Sequence, residues 1–572
     1  MRNNFAVALT GWTIFLLSCL PVSALWTGTA AATPAGPETM RALIEAGEKE
    51  GRLAWRGELL FAPDIIPRFY AEEGYRLVWS GPDGTFPLAE PLLLAIRAGE
   101  AEGLSATVYH LDAITTLLAR IRAAGEANTR LDGDSLAGLD LLLTDAFLLH
   151  ASHRLAGRVD PETLQANWVA FSPEADLAAI LRRALASGRV RETLESLDPV
   201  HPDYRRLRQA LRELREIMAR GEWPLIPVGP NLESGMVDER VPLLRARLIA
   251  GGDLEAGAGD SEEFDAPLAE AVRRFQARHG LGIDGVVGLL TRAELNVSAR
   301  KRAEQIEVNL ERRRWLFNAI PEDRYILINI AGYRMTVHEG LATVLEKKVV
   351  VGASYRHTPL FSERMQYIDI NPFWNIPPTI AVRDILPNIR KDPGYLSREK
   401  IRVFSNWRDD ARELDASSID WTKVGPGHFP YKLRQDPGPR NSLGRIKFIF
   451  PNRFSVYLHD TPHRELFDKP TRDFSSGCIR VEAPLVLAAY LLQDTPSWNL
   501  ETLTAAVASG RQQVIPLDRP IPVHIQYWTA WVDEDNAMQF RYDIYKRDEE
   551  LARALAALQP LAIDHSSLTI SH

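Results

Sequence analysis

The stretch from Tyr457 to Val481 carries the residue types of a thiol nucleophile and its base. His459 ends an apolar run, and Cys478 follows in the segment Ser475-Ser476-Gly477-Cys478-Ile479-Arg480. A cysteine attacks as the thiolate, and a neighbouring imidazole can take its proton. The pattern therefore predicts a Cys–His pair that attacks a carbonyl, with Cys478 as nucleophile and His459 as base.

The residues beside this pair have types that would assist the same chemistry. Gly477 lets the backbone approach a substrate closely, so the N–H groups of Gly477 and Cys478 are predicted to hold an oxyanion. Tyr457 and Arg480 each lie two positions from a reacting residue and share its strand face. Arg480 would bind a substrate carboxylate through its planar guanidinium, and a structural ion pair is the alternative.

The cysteine count supports a reactive thiol. The chain has two cysteines, Cys19 and Cys478. Residues 1–24 have the layout of a secretory signal peptide, with Arg2 before an apolar stretch and small residues at the end. An uncleaved membrane tether is the alternative. Removal of the signal leaves one thiol, which cannot form an internal disulfide. A buried small hydrophobe is the other interpretation of Cys478.

Length and charge restrict the class of protein. The 572 residues predict three or four domains, and 45% hydrophobic with 25% charged residues is ordinary for globular protein. The net charge of -8, with both signs mixed along the chain, gives no basic stripe, so no nucleic-acid partner is predicted. The run Arg312-Arg313-Arg314 is expected to be a solvated helix face.

No metal or cofactor is predicted. The sequence has neither a His-Glu-x-x-His motif nor a cysteine cluster with metal-ligand spacing. His459 and His463 are four positions apart, but Pro462 breaks the helix that a ligand pair would need. A glycine-rich phosphate loop is also missing from the sequence.

The elements that position the reacting residues lie in the last part of the chain. β-rich apolar runs start after Pro321 and predict a mainly-β domain over residues 322–535, followed by a C-terminal extension, 536–572. A segment rich in Trp, Pro and charge, about 375–440, interrupts the runs and is expected to be a lid or binding loop.

The preceding parts of the chain are predicted to be helical. Residues 38–225 show helical apolar spacing, for example in 92–101, 113–124 and 136–150. A connector leads to a small unit at 238–298, which is predicted to contain three helices. The predicted fold class is thus multidomain α+β: a helical scaffold, a small three-helix module and a mainly-β domain with a capping insertion.

The small module resembles the peptidoglycan-binding module of cell-wall hydrolases. The resemblance rests on several fixed spacings: Phe275-Gln276, His279-Gly280-Leu281, Asp284-Gly285, Val287-Gly288 and Thr291. A role as a mere spacer is the alternative.

The segment around Cys478 resembles the L,D-transpeptidase signature, in which a histidine precedes a Ser/Thr-x-Gly-Cys segment. LHDTP, SSGCIRV, NPFWNIPPTIA, GPRNSLGRIKF, RFYAEEGYRLVW and GLSATVYHL all look like the large periplasmic L,D-transpeptidase subfamily of Gram-negative bacteria, with a YkuD-type catalytic domain. Simpler members of the family have His and Asn near the positions of Ser476 and Glu482. This departure leaves His459 as the only base, and the group that orients it is open between Ser475, Asp460 and a backbone carbonyl.

The resemblance implies a periplasmic enzyme of cell-wall organisation and cell shape. Cys478 would form a thioester on a tetrapeptide stem and release D-Ala, and an acceptor stem would resolve it as a 3→3 cross-link. Both stems would be partners, besides other cell-wall synthesis proteins, and carbapenems would acylate Cys478. Substrate contacts are expected at Arg480, Ser476, Tyr457, Asn441 and Trp374, with core packing as the alternative for Trp374. The alternatives are an L,D-carboxypeptidase, an enzyme that joins a lipoprotein to peptidoglycan or removes it, and a non-enzymatic wall-binding scaffold.

Overall fold

The computed structural model describes residues 36–81, 85–127, 129, 132–164, 175–257, 260–317 and 323–557. The predicted signal peptide, with Cys19, and the last residues of the predicted C-terminal extension lie outside the described residues. The helices are α1 (Pro37–Glu50), α2 (Ile66–Glu72), α3 (Ala89–Gly99), α4 (Leu111–Glu126), α5 (Gly133–Ala156), α6 (Pro161–Leu164), α7 (Leu177–Ser187), α8 (Val190–Glu195), α9 (Pro202–Ala219), α10 (Val241–Ala250), α11 (Ala266–Arg278), α12 (Leu289–Leu295), α13 (Ala299–Phe317), α14 (Pro378–Ile380), α15 (Leu386–Lys391), α16 (Tyr395–Arg398), α17 (Pro484–Leu491), α18 (Leu500–Ala508) and α19 (Arg547–Ala556).

The strands are β1 (Ala54–Trp55), β2 (Glu58–Leu59), β3 (Arg324–Asn329), β4 (Arg334–Glu339), β5 (Ala342–Gly352), β6 (Phe361–Ile370), β7 (Trp374–Ile376), β8 (Ile401–Phe404), β9 (Glu413–Leu414), β10 (Lys432–Gln435), β11 (Ile446–Ile449), β12 (Leu458–His459), β13 (Asp473–Ser475), β14 (Ile479–Val481), β15 (Gln513–Gln526), β16 (Ala530–Val532) and β17 (Met538–Phe540). The multidomain α+β fold class is confirmed, with helices before residue 318 and strands mainly after it.

Helices α1 to α4, α7 and α8 pack around α5, which is buried along nearly its whole length. The predicted helical stretches 92–101, 113–124 and 136–150 correspond to α3, α4 and α5. By length and composition alone α5 would be able to cross a membrane, but 89% of its apolar window is buried inside the protein. A core helix of a globular domain has this character.

Three helices, α10 to α12, form the small module around a core of their own. Gly280 ends α11 with a φ of +67°, a left-handed conformation that glycine adopts without strain. The Gln276 side chain then fixes the following turn, because its Oε1 accepts from the N–H groups of Asp284 and Gly285 at 3.1 and 2.8 Å. The three-helix prediction is confirmed.

The mainly-β domain is a nearly closed barrel. Its strand order is β13-β5-β14-β12-β11-β6-β15-β3-β4, and β4 also pairs with β5. Eight strands therefore close on one another, with β13 outside the ring. The barrel interior is filled by apolar side chains from alternate strand positions.

The predicted insertion folds as a small subdomain. Strands β7 and β10 pair at its two ends, and the sheet order is β7-β10-β8-β9. Helices α14 to α16, and a π-helical turn over Ala381–Ile385, pack on this sheet around a separate apolar core. The insertion therefore has a rigid framework of its own, and we call it the cap.

The Arg312-Arg313-Arg314 run is not a solvated helix face, and that expectation was wrong. These three arginines of α13 are 3%, 0% and 1% exposed. They pair with Asp548, Asp203 and Glu311 respectively, at 2.6, 2.7 and 2.9 Å. The arginine charges of this buried helix are therefore neutralised by carboxylates from α9, from α19 and from α13 itself.

The last part of the described chain packs against the barrel. Strands β16 and β17 form a hairpin, and the predicted domain limit at 535/536 falls in its turn. Farther along, the Tyr545 hydroxyl donates to Gly352 O at 2.5 Å and accepts from Thr358 N at 3.2 Å. These bonds tie the predicted C-terminal extension to the loop after β5.

Candidate active site

Three neighbouring strands of the barrel carry the predicted Cys–His pair. Strand β12 pairs antiparallel with β11 and parallel with β14. In this register His459 lies opposite Arg480 on one side and Lys447 on the other. The alternate residues Phe448, Leu458 and Ile479 are fully buried in the barrel core. Directly paired residues share a sheet face, so the imidazole and the two cations all lie on the face away from the core.

Cys478 enters this face from the turn before β14. Ile479 pairs with Leu458, so Cys478 is level with Tyr457 and diagonal to His459. The turn depends on Gly477, whose φ is +115°, a conformation that residues with a Cβ rarely adopt. Thr358 Oγ1 donates to Gly477 O at 2.9 Å. Cys478 is thus held by a turn that requires glycine and is fixed from outside by Thr358.

The two amides predicted to form an oxyanion hole have different surroundings. Gly477 N donates to Ser475 Oγ at 3.1 Å, and Ser475 Oγ in turn donates to Cys478 O. The Cys478 N–H has no acceptor within the described part of the chain. The Gly477 amide is therefore used to hold the turn, and the Cys478 amide has its donor available for a ligand.

A backbone carbonyl orients the imidazole of His459. The ring atom Nδ1 lies 2.5 Å from Asp460 O. A carbonyl oxygen can only accept, so Nδ1 carries the proton and Nε2 presents a lone pair. The sequence left Ser475, Asp460 and a backbone carbonyl open as the group that orients His459. In the structure, the backbone carbonyl of Asp460 contacts the imidazole. The Asp460 carboxylate instead accepts from Arg445 N at 2.8 Å.

Burial and two cations keep His459 neutral. Burial is the main cause that lowers the pKa of His459 to about 3, and the charges of Arg480 and Lys447 act in the same direction. Burial also raises the pKa of the Cys478 thiol, while Tyr457, Lys447 and Arg480 oppose that rise. The resting pair is therefore a neutral thiol beside a neutral imidazole.

A family model for an L,D-transpeptidase catalytic domain matches residues 323–498, which include β11, β12, β14 and the cap. Residues 323–498 form an L,D-transpeptidase catalytic domain. Further models match residues 237–295, for a peptidoglycan binding domain, and residues 64–211, for a scaffold domain. The predicted resemblance to this enzyme class is confirmed, and the chain joins the transpeptidase domain to these two others.

One curated relative from Haemophilus influenzae, named "Putative L,D-transpeptidase", is 34% identical over 226 residues. The match covers 40% of this chain and 45% of the relative, so this chain matches less than half of the relative's length. An L,D-transpeptidase structure from Xylanimonas cellulosilytica (residues 123–326) covers 52% of this chain and 99% of its own, with 14% identity and a TM-score of 0.15. One from Stackebrandtia nassauensis covers 53% and 96%, with 12% identity and a TM-score of 0.19.

Arg480 of the transpeptidase domain has no ion pair among the described residues. Its Nε is buried and without a hydrogen-bond partner there. Burial lowers the pKa of Arg480, and the charges of Cys478 and Glu465 partly oppose this. The sequence left two roles open for Arg480, a contact with a substrate carboxylate or a structural ion pair. This environment favours the contact with a carboxylate.

Ser476 connects the nucleophile turn to the cap. Arg356 Nη1 donates to Ser476 Oγ at 2.6 Å and to Asp384 Oδ2 at 2.7 Å, and its Nη2 donates to Asp384 Oδ1 at 3.0 Å. Asp384 belongs to the π-helical turn of the cap. This bidentate contact fixes one edge of the cap beside Cys478.

Trp374 and Asn441 lie at the base of the cap. Trp374 is 9% exposed in the cap core, to which Tyr457 also contributes. Asn441 is buried, and its Nδ2 donates to Pro372 O and Asp436 O, both at 3.0 Å. The Asn441 side chain thus braces the two chain segments that enter and leave the cap, and its role as a substrate contact stays a prediction.

Sequence reasoning missed Lys447. Lys447 Nζ lies 3.9 Å from the centroid of the Tyr457 ring, on the same face as His459. The available signal is a single charged residue between Ile446 and Phe448 in an apolar run, which gives its strand face but not its place beside His459. In an alternating strand, such a residue must face away from the core.

Proposed function

We propose that this protein is a periplasmic L,D-transpeptidase that forms 3→3 cross-links in peptidoglycan. The Cys478 thiol attacks the carbonyl of the third residue of a tetrapeptide stem while His459 Nε2 takes its proton. The tetrahedral intermediate collapses to a thioester, and the leaving D-Ala amine receives that proton. The amine of an acceptor stem then attacks the thioester, gives its proton to His459, and the thiol is restored.

The common face of Cys478 and His459 on paired strands is the observation that carries this proposal. The Asp460 carbonyl favours the Nδ1–H tautomer, in which Nε2 carries the lone pair that a base needs. A neutral imidazole can accept a proton in each half-reaction and release it at once, because burial disfavours the imidazolium. The same atom can therefore serve acylation and deacylation.

Charge that develops on the substrate would meet fixed donors. The Cys478 N–H is directed to the oxyanion of each tetrahedral intermediate, and Tyr457 is a second donor beside the sulfur. Arg480 binds a carboxylate of the stem, as its buried Nε without a partner suggests. Ser476 lines the cleft beside Cys478, and the buried Trp374 and Asn441 support the cleft from the base of the cap.

The accompanying domains agree with a peptidoglycan substrate. The domain at residues 237–295 is of a peptidoglycan-binding type. A catalytic domain attached to such a domain would act on the polymer at a fixed distance from the site that holds it. Residues 1–24 would direct the chain to the periplasm, either as a cleaved signal or as a membrane tether.

The test uses the protein without residues 1–24 and disaccharide-tetrapeptides, with products measured by mass spectrometry. We expect a cross-linked dimer that lacks one D-Ala, and its loss in Cys478→Ala and in His459→Ala. His463→Ala is the matched control, because that imidazole is four positions away and its side chain is 65% exposed. It should keep the activity of the parent protein.

The same experiment separates the alternatives. A tripeptide without dimer would mean that water resolves the thioester, which is an L,D-carboxypeptidase. A product that appears only with a lipoprotein lysine, or with lipoprotein-linked peptidoglycan, would mean a lipoprotein ligase or hydrolase. Products that persist in Cys478→Ala would overturn the thiol mechanism. If no product forms with any acceptor, the remaining interpretation is a non-enzymatic wall-binding scaffold.

A further inference from the structure

A row of ionisable side chains crosses four strands of the barrel. Asp369 on β6 opposes Lys447 on β11, Lys447 opposes His459 on β12, and His459 opposes Arg480 on β14. Opposed residues of neighbouring strands lie on one face with their Cβ atoms close together. The row therefore places Lys447 between a carboxylate and the catalytic imidazole.

The ammonium of Lys447 has no ion pair among the described residues. The Asp369 carboxylate is occupied by Gln512, whose Nε2 lies 3.0 Å from each of its oxygens. The contact that Lys447 does make is with the Tyr457 ring, at 3.9 Å from Nζ to the centroid. A cation over an aromatic face is attracted by the ring quadrupole, which holds the side chain in place.

A half-buried cation without a carboxylate is costly unless an anion approaches it. Burial lowers the pKa of Lys447, and the charges of Asp369 and Cys478 raise it again. The Tyr457 ring beside Nζ is level with Cys478 in the ladder. The anion that forms nearest to Lys447 in the reaction is thus the sulfur of Cys478.

We propose that Lys447 is a positioning residue that stabilises the Cys478 thiolate from the strand next to His459. The proposal rests on the proposed function in one respect: the stabilised thiolate is useful because it is the nucleophile of that reaction. The thiol proton leaves to His459 or to solvent, and the negative charge on sulfur is then balanced by the ammonium fixed over Tyr457. The ammonium also opposes protonation of His459, so it favours transfer of the proton from the imidazole to the leaving amine.

Several other ionisable groups face Cys478 or Lys447 and are unchanged in the test. Tyr457 and Arg480 act on the thiol, and His459 and Asp369 lie opposite Lys447 on the neighbouring strands. Among these, Arg480 also lowers the pKa of the thiol. Because these groups stay in place in the Lys447 variants, a change in the titration of the thiol reports the loss of the Lys447 charge.

The test measures the rate of iodoacetamide alkylation of Cys478 against pH, in the protein without residues 1–24. In Lys447→Met we expect the midpoint to move to higher pH and the rate at neutral pH to fall about tenfold, which corresponds to one pKa unit. The rate at high pH should stay that of the parent, since the thiolate itself remains accessible. Lys447→Arg should restore the midpoint. Lys423→Met, at a lysine that is 83% exposed on the cap, is the control.

A folded Lys447→Met protein with the parent's alkylation midpoint would overturn the proposal. So would a midpoint that Lys447→Arg fails to restore while its circular dichroism matches the parent. Alkylation requires neither a stem peptide nor an acceptor. The result therefore stands apart from the outcome of the cross-linking experiment.

Discussion

His459 and Arg480 lie directly opposite each other on the parallel strands β12 and β14. The guanidinium is thus a fixed neighbour of the imidazole, and burial and this charge are the two largest causes that lower the pKa of His459. The imidazole is therefore expected to be neutral at neutral pH. In the proposed mechanism, His459 would pass on the proton of the thiol quickly, because the imidazolium is disfavoured.

The rate of Cys478 acylation should therefore be flat between about pH 5 and 8, where an ordinary histidine would titrate. Arg480→Met should move the acid limb of the profile to higher pH, since removal of this cation raises the pKa of His459. The measurement is single-turnover acylation by a tetrapeptide donor at each pH. A parent rate that halves near the ordinary histidine pKa would contradict the neutral-base assignment.

Replacement of Gly477 tests the strained turn. Its φ of +115° excludes an unstrained alanine, although an added Cβ would meet only His357 O, at 3.6 Å. We expect Gly477→Ala to lower the free energy of unfolding by about 1–3 kcal/mol and to reduce activity further, because the turn aims Cys478. Thermal unfolding and the cross-linking assay measure the two effects. Gly427→Ala is the control, since Gly427 has open space and no left-handed φ.

The Arg356–Asp384 contact should hold the cap against the nucleophile turn. Arg356→Met removes the bonds to both Asp384 and Ser476, so amide hydrogen exchange over residues 378–391 should become faster. Arg398→Met is the matched control, because it breaks an exposed pair with Asp392 inside the cap. Equal exchange rates in the parent and Arg356→Met would show that the cap is fixed by its apolar contacts alone.

The Asp203–Arg313 pair joins the scaffold to the helix before the barrel. Both side chains are buried, and Arg313 Nε lies 2.7 Å from Asp203 Oδ2. Asp203→Ala leaves a buried guanidinium unpaired, so we expect a loss of about 3–5 kcal/mol in the free energy of unfolding. Denaturant unfolding measures this. Arg191→Ala, which breaks an exposed pair with Glu195, should leave the curve almost unchanged. A small effect of Asp203→Ala would contradict the buried pair.

The local part of the site could be predicted from the sequence. His459, Gly477 and Cys478 lie in one short segment, and their residue types indicate a thiol nucleophile with a base. Helical apolar spacing also located elements such as α3, α4 and α5, because apolar periodicity is a local property.

Long-range contacts account for what the sequence left out. Lys447 joins the site only through the β11–β12 register, which no local pattern reveals. The burial of Arg313 depends on Asp203, which lies 110 positions earlier in the chain. Arg356 reaches Ser476 across 120 positions. Each of these charges looks like an ordinary surface residue until its partner is known.

His338 should make the stability of the barrel sensitive to acid. It is 6% exposed, stacks on Tyr325 at 4.7 Å, and burial is the main cause that lowers its pKa to about 4. A histidine with a depressed pKa in the folded state contributes stability that is complete above its unfolded pKa, about 6.5, and is lost as pH falls toward 4. The expected loss is about 3 kcal/mol from this residue. His338→Phe keeps the stack and cannot be protonated, so its melting temperature should fall less steeply over this range. His463→Gln, at an exposed histidine, should keep the parent's slope, and a parent slope in His338→Phe would mean that the ring is not buried in its neutral form.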